Sequence, residues 1–453
     1  MFIGTQLMPP YVFDNGAEDV FADMKDRARI NAALIFPSNI VGYQYRRKHE
    51  QHAESGKTID EIFVRTDPKY YEGTPYCLKP MEESAYSGRD VLDEAIDAGG
   101  KHGIDIYARI LEAYRITDYN ASLEAVAEVN QGDKPVDCPC FNHPDYLNYV
   151  LANWEDTLRL HPGLKGLKYG QERGSPMGAA LAGEETSCFC EYCQRKARER
   201  FHFDLDRARS GWRALIELGE AAANHETRPA DGWLASILRI WMRYPEVLAH
   251  HRMWLESRED HRRAIYELGK SINPELQIGW HIDHHWCWDL MGRAALDFAD
   301  MTPHSDWLSI ALYFDAAGPR MAGHFSRGPG RCFLGDLPKD LGLEAYRHFV
   351  GQNPAVEPSL EAMTQDAPLS AEHVYAETKR AVDRVNGQAK VYARVGFDLP
   401  MHNTKTTPEQ VERAITRALD AGPDGLFLTR EYHEVAPENL AAARRAIDAY
   451  LAS

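Results

Sequence analysis

The sequence predicts a (β/α)8 barrel. Eight short apolar runs alternate with amphipathic stretches, a helical pattern closes the chain, and no GxGxxG or Walker-type loop marks a nucleotide-binding open sheet. The runs span residues 2–7, 33–36, 104–110, 166–169, 277–282, 307–313, 390–395 and 425–429. Their length and bounding turns are those of buried strands. Between them, residues 17–29, 145–160, 246–271, 371–384 and 408–421 carry apolar positions three and four apart, and residues 437–451 supply the last helix. An open doubly wound sheet is the alternative; eight units followed by a helix favour closure.

Several boundaries have their own chemistry. Thr407-Pro408-Glu409-Gln410 has an N-cap hydroxyl, proline in the first turn and glutamine three residues after the threonine, which predicts a helix start. Gly422-Pro423-Asp424-Gly425 ends that helix and turns into the next run, and His161-Pro162-Gly163 does the same before Gly166. Asn273-Pro274 ends the long helix. The whole chain, 1–453, is expected to form one barrel domain. Three insertions, 38–90, 173–245 and 315–370, follow the second, fourth and sixth runs, and should emerge at the C-terminal face, where barrel active sites lie.

Bulk properties exclude some classes. With 68 acidic against 51 basic residues, the net charge of −17 disfavours nucleic acid and anionic membranes as partners. No run of about 18 apolar residues predicts a membrane helix. MFIGTQLMPP has no basic stretch leading into an apolar one, so no secretory signal is read and a cytoplasmic location is expected. A homo-oligomer is left open.

Five of the eight cysteines lie in two short spans: Cys138 and Cys140, then Cys188, Cys190 and Cys193. A C-x-C-x-x-C triplet can direct three thiolates into one tetrahedral zinc shell, with Cys138 and Cys140 available as the fourth donor. A closed four-sulfur shell would be structural, pinning the loop after the fourth strand.

Carboxylates gather after the predicted strands. Glu172, preceded by Gln171, follows the fourth; Asp398 follows the seventh; Glu431, beside Arg430 and Tyr432, follows the eighth. Glu112 lies near Arg109 after the third, Asp283 after the fifth and Asp315 after the sixth. Arg394 is on the seventh. Aromatic residues, among them Tyr114, Trp286, Tyr313 and Tyr432, crowd the same ends. Such a lining suits a sugar, whose C–H faces pack on rings while its hydroxyls need polar partners. His281 and Asp283, two apart on a strand, share a face and offer a different chemistry, a metal-dependent hydrolase or lyase.

The stretches Cys140-Phe-Asn-His-Pro144-Asp-Tyr, Gly166-Leu-Lys-Tyr-Gly-Gln171-Glu172 and Cys188-x-Cys190-x-x-Cys193 with the following 195–203 segment resemble the glycoside hydrolase family 42 β-galactosidases. The resemblance implies a structural zinc on Cys140, Cys188, Cys190 and Cys193, and Glu172 as general acid/base. It implies a retaining two-carboxylate mechanism on a short glycan or small glycoside. Gln171 stands where that family has asparagine, and residues 390–400 hold Asp398 as their one carboxylate where the family has its nucleophile. Glu431 and Asp398 are therefore the two candidates for the second catalytic carboxylate. Gln171, Arg109, Glu112, His281, Asp283, Trp286, Tyr313, Arg394, Arg430 and Tyr432 are the candidate substrate contacts. A sugar-binding barrel without catalysis is the third reading.

Overall fold

The computed structural model describes residues 1–37, 62–74, 86–112, 124–170, 172–224, 228–295, 297–398 and 406–453. Ten strands are described: β1 (Phe2–Leu7), β2 (Ala32–Ile35), β3 (Asp105–Leu111), β4 (Ala127–Val129), β5 (Pro135–Pro139), β6 (Gly166–Gly170), β7 (Gln277–Ile282), β8 (Trp307–Leu312), β9 (Lys390–Gly396) and β10 (Gly425–Glu431). Eight of them close into a parallel barrel in the order β1-β2-β3-β6-β7-β8-β9-β10, with β10 back against β1. The fold is the predicted (β/α)8 barrel, and each of the eight apolar runs is one of its staves. The remaining pair, β4 and β5, is an antiparallel ribbon between the third and fourth staves that periodicity did not reveal.

The barrel interior explains the sequence of its strands. Side chains alternate along each strand, so every second residue points to the axis. Phe2, Tyr107, Trp307, Tyr392 and Phe427 fill the lower half, with Phe2 stacked on Tyr392 at 4.1 Å between ring centres. Glycines make room for these rings. A Cβ at Gly279 would lie 2.0 Å from the Trp307 indole, and one at Gly166 would meet the Gln277 carbonyl at 2.0 Å. Above the aromatic floor the interior turns polar.

The outer helices bury the other face of each strand. Ala17–Ala28, Pro144–Leu160, Ala371–Val385, Pro408–Asp420 and Pro437–Ala452 match the expected helices to within a residue or two. The cap at Thr407 forms as read: the Thr407 hydroxyl accepts from the Gln410 amide and the Gln410 side chain accepts from the Thr407 amide.

The insertions contain more regular structure than their composition indicated. Residues 173–245 hold the helices Pro176–Leu181, Glu191–Glu199, Leu205–Ala223 and Trp233–Arg243. These pack a second core around Trp212, Trp233, Phe189 and four buried cysteines, leaning on the long helix Glu246–Ile272. The 315–370 segment forms Phe314–Arg327, Pro329–Leu334, Lys339–Phe349 and Leu360–Thr364. Much of the 38–90 insertion lies outside the described residues. Among the described residues no helix is long and apolar enough to cross a membrane.

Candidate active site

The polar upper half of the barrel is built from residues in register with the aromatic floor. Gln6 of β1, Arg109 of β3, Lys168 of β6, His281 of β7, Ser309 of β8, Arg394 of β9 and Glu431 of β10 are all buried. They alternate with apolar residues that face the helices, so the strand period itself aims them at the axis.

Glu172 and Glu431 stand at the fourth and eighth positions around the ring, on opposite walls. A chain of hydrogen bonds joins them. Glu172 Oε1 is 2.9 Å from His281 Nε2. His281 Nδ1 is 2.7 Å from Arg394 Nη1, and Arg394 Nη2 donates to Gln6 Oε1 at 2.5 Å. Gln6 Nε2 donates to Glu431 Oε1 at 3.4 Å, an oxygen that also accepts from Arg109 Nη1 at 3.1 Å. Arg109 in turn lies over the Phe36 ring at 4.2 Å, and Arg394 over Tyr313 at 5.3 Å. The Glu431 carboxylate is thus buried against a guanidinium, whose charge offsets its desolvation. Burial holds His281 neutral, with its pKa pushed down to about 3.

Two residues here have chemistry that the strand pattern did not signal. Lys168 is wholly buried below the two glutamates; its Nζ has no hydrogen-bond partner among the described residues, and desolvation lowers its pKa well below the usual lysine range. Glu434, three residues past Glu431, is paired with Arg430 at 3.1 Å, and burial raises its carboxyl to about 7. Lysine on a short apolar run reads as surface, and Glu434 falls beyond the strand. The one available signal for Glu434 was its spacing from Arg430, one helical turn.

The other predicted residues divide between the cavity and the frame. Tyr313 sits in the site, beneath Arg394 and 5.8 Å from the His284 ring. Glu112 is buried just below Arg173: its Oε1 accepts from the Arg173 amide at 2.8 Å, and Oε2 is 3.6 Å from Arg173 Nε. It shapes the turn that carries Glu172. Arg430 is held by Glu434. Asp283 is bound by its neighbours, His284 at 3.0 Å and His285 at 2.8 Å, and caps the short turn His284–Cys287. Asp315 is buried in the helix that follows β8. Gln171 and Tyr114 lie outside the described residues.

Three candidates make their described contacts away from the two glutamates. Both Asp398 oxygens accept from Asn439 Nδ2, and Oδ2 also accepts from the Ala436 amide at 3.0 Å. That carboxylate fastens the last helix. Tyr432 turns outward, and its hydroxyl donates to Asp23 at 2.6 Å on the helix after β1. The Trp286 ring, on the turn after β7, is partly buried and packs on Gly292 and against the core. His281 and Asp283 likewise do not form one donor set. Both ring nitrogens of His281 are engaged, by Glu172 and Arg394, and the three-residue cluster nearby is Asp283, His284 and His285.

A separate group of sulfurs lies under the insertion after β6. The Cys140, Cys188, Cys190 and Cys193 sulfurs are all within 4.8 Å of one another, with Cys140 3.6 Å from both Cys190 and Cys193. Those separations are too long for disulfides, which need about 2.05 Å. They match the edges of a tetrahedron with metal–sulfur bonds of about 2.3 Å, about 3.8 Å. Polar N–H groups point at the sulfurs: Val129 N at 3.3 Å from Cys188, Asn142 N at 3.3 Å from Cys140 and Asn142 Nδ2 at 3.2 Å from Cys193. Such donors suit thiolates. Cys138 is not part of the group.

No family model and no curated protein matches this chain. Solved structures do. The glycoside hydrolase domain of PgaB (BpsB) from Bordetella bronchiseptica aligns with a TM-score of 0.50 at 10% identity, covering 99% of this chain and 98% of that one. A β-galactosidase from the psychrophilic Marinomonas ef1 aligns with a TM-score of 0.54, also at 10% identity; all of this chain is covered, and it spans 60% of that chain. What the chain shares with both, at this identity, is the fold.

Proposed function

We propose that this chain is a glycoside hydrolase, with Glu172 as general acid/base and Glu431 as the second carboxylate. The observation that carries the reading is the pair of glutamates on opposite walls of the barrel's polar end, joined through His281, Arg394 and Gln6. Glycosidic cleavage needs one carboxyl to give a proton to the leaving oxygen and one carboxylate to face the positive charge that grows on the sugar ring. Glu172, whose side chain is 21% exposed, has the access an acid needs. Glu431, at 3% and paired with Arg109, has the fixed negative charge. The names of the two similar solved structures, a glycoside hydrolase domain and a β-galactosidase, agree with this chemistry.

In this reading a short glycan or small glycoside enters at the C-terminal mouth, against Tyr313 and the His284 ring. Glu172 protonates the leaving oxygen. Glu431 attacks or shields the anomeric carbon while Arg109 and Gln6 hold it in place, and Glu172 then takes a proton from the incoming water. The retaining course follows from the family resemblance, and the anomer first released, read by proton NMR, tests it. Cys140, Cys188, Cys190 and Cys193 are proposed to hold a structural zinc, remote from these steps.

The deciding experiment is a panel of aryl glycosides assayed with the wild-type protein and with Glu172→Gln. The substitution keeps shape and removes the transferable proton, so turnover should fall by about 10³-fold or more with the circular dichroism unchanged. Wild-type-like turnover in the variant rejects the assignment. Sugar binding without turnover by the wild-type protein would make it a binding barrel instead.

A further inference from the structure

Arg394 dictates the direction of every hydrogen bond between the two glutamates. A guanidinium donates and never accepts. His281 Nδ1, 2.7 Å from Arg394 Nη1, must therefore be the accepting nitrogen, and the ring's single proton sits on Nε2. That Nε2–H faces Glu172 Oε1 at 2.9 Å. The same logic runs the other way round the ring. Gln6 Oε1 accepts from Arg394 Nη2, which orients the amide so that Nε2 donates to Glu431 Oε1. One cation thereby sends two neutral donors outward, one to each carboxylate.

We propose that His281 is a positioning residue for Glu172, held by Arg394 as the Nε2–H tautomer so that it presents one neutral donor to that carboxylate. Its role rests on the proposed function for its consequence in catalysis, while the tautomer stands on the geometry alone. A neutral donor orients Glu172 and favours the ionised form without adding a charge that would forbid reprotonation. An imidazolium in its place would pin the carboxylate in an ion pair. Among the described residues, the charged or titratable groups around the pair include Lys168 from β6, Arg394 from β9 and His284 from the turn after β7.

Two measurements test this. Nitrogen-15 histidine spectra of the resting wild-type protein, with His281 assigned by its loss in His281→Gln, should show a neutral ring protonated on Nε2 from pH 8 down to pH 5. An Nδ1–H tautomer, or an imidazolium above pH 5, overturns the proposal whether or not the protein cleaves glycosides. The second is the pH profile on the best substrate of the panel. His281→Phe removes the donor, so Glu172 should hold its proton to higher pH. The alkaline limb of kcat/KM should move up, and kcat should fall on the order of 100-fold with KM little changed. His281→Gln, which keeps an N–H donor and a carbonyl acceptor, should recover most of that loss. An unmoved limb in His281→Phe, or equal loss in both variants, shows a merely structural ring.

Discussion

Asp398 shows how one residue can satisfy a sequence pattern and serve a different purpose. It follows β9, where a catalytic carboxylate is expected, yet its backbone is left-handed, at φ 60°. Aspartate tolerates that conformation better than most residues, and the turn swings the carboxylate away from the axis to Ala436 and Asn439. Asp398→Asn keeps the turn and loses an acceptor for the Asn439 amide. Urea unfolding should show a loss of about 1–2 kcal/mol, with kcat/KM per folded molecule within about threefold of wild type. A collapse in activity at unchanged stability would instead make Asp398 the second carboxylate and displace Glu431. Lys168 shows the reverse case, a residue hidden from sequence reading. In Gly166-Leu-Lys-Tyr-Gly either alternate set can face inward, and a lysine argues for the outside. The structure points it at the axis because the glycines on either side leave room there for Tyr107 and Leu111.

The elements divide into those a local signal specifies and those that tertiary packing makes. All eight staves and the five outer helices named above were legible because period two, period 3.6 and caps such as Thr407 act within a few residues, whereas the outer helix Val91–His102 was not read. The β4–β5 ribbon was not. Its strands are three and five residues long, and Glu128, inside β4, is buried through contacts with Arg173 at 3.5 Å and with Ser187. Those partners are more than forty positions away. In the candidate site, strand ends marked Glu172 and Glu431, whereas nothing local paired them through Gln6 and Arg394. The cysteine group joins these levels, since it ties the segment before the helix Pro144–Leu160 to the insertion helix Glu191–Glu199. With zinc as the tie, chelation by a strong competitor should release about one equivalent of metal. Hydrogen exchange should then accelerate across 176–243, while β1, β9 and β10 stay protected. Metal analysis finding no zinc in the purified protein, or exchange rising equally in the barrel strands, would refute the clip.

At the scale of the whole molecule, burial of neutral imidazoles couples folding to pH. His251 and His261, both buried, and the half-buried His324 each have a pKa lowered to about 4, and His281 to about 3; His284 is lowered too. Desolvation is the leading cause in every case. In the unfolded chain these rings titrate near 6.5. Between that value and the folded one, the unfolded state binds protons that the folded state refuses, so stability falls as pH falls. The slope is at most about 1.4 kcal/mol per pH unit for each ring. His161 and His285, raised by Asp90 and Asp283, and Glu434, raised by burial, work in the opposite sense. Asp90, Asp260 and Asp283, held below the usual carboxylate range, add to the acid loss at lower pH. The lowered rings outnumber the opposing groups, and the four with stated values each move by more than two units. The melting temperature should therefore be highest near neutrality and drop steeply from about pH 6.5 to 4.5, with several protons taken up per molecule unfolded. Scanning calorimetry across that range measures both, and a flat melting temperature would mean that these rings are hydrated in the folded state and the barrel's polar end is wet.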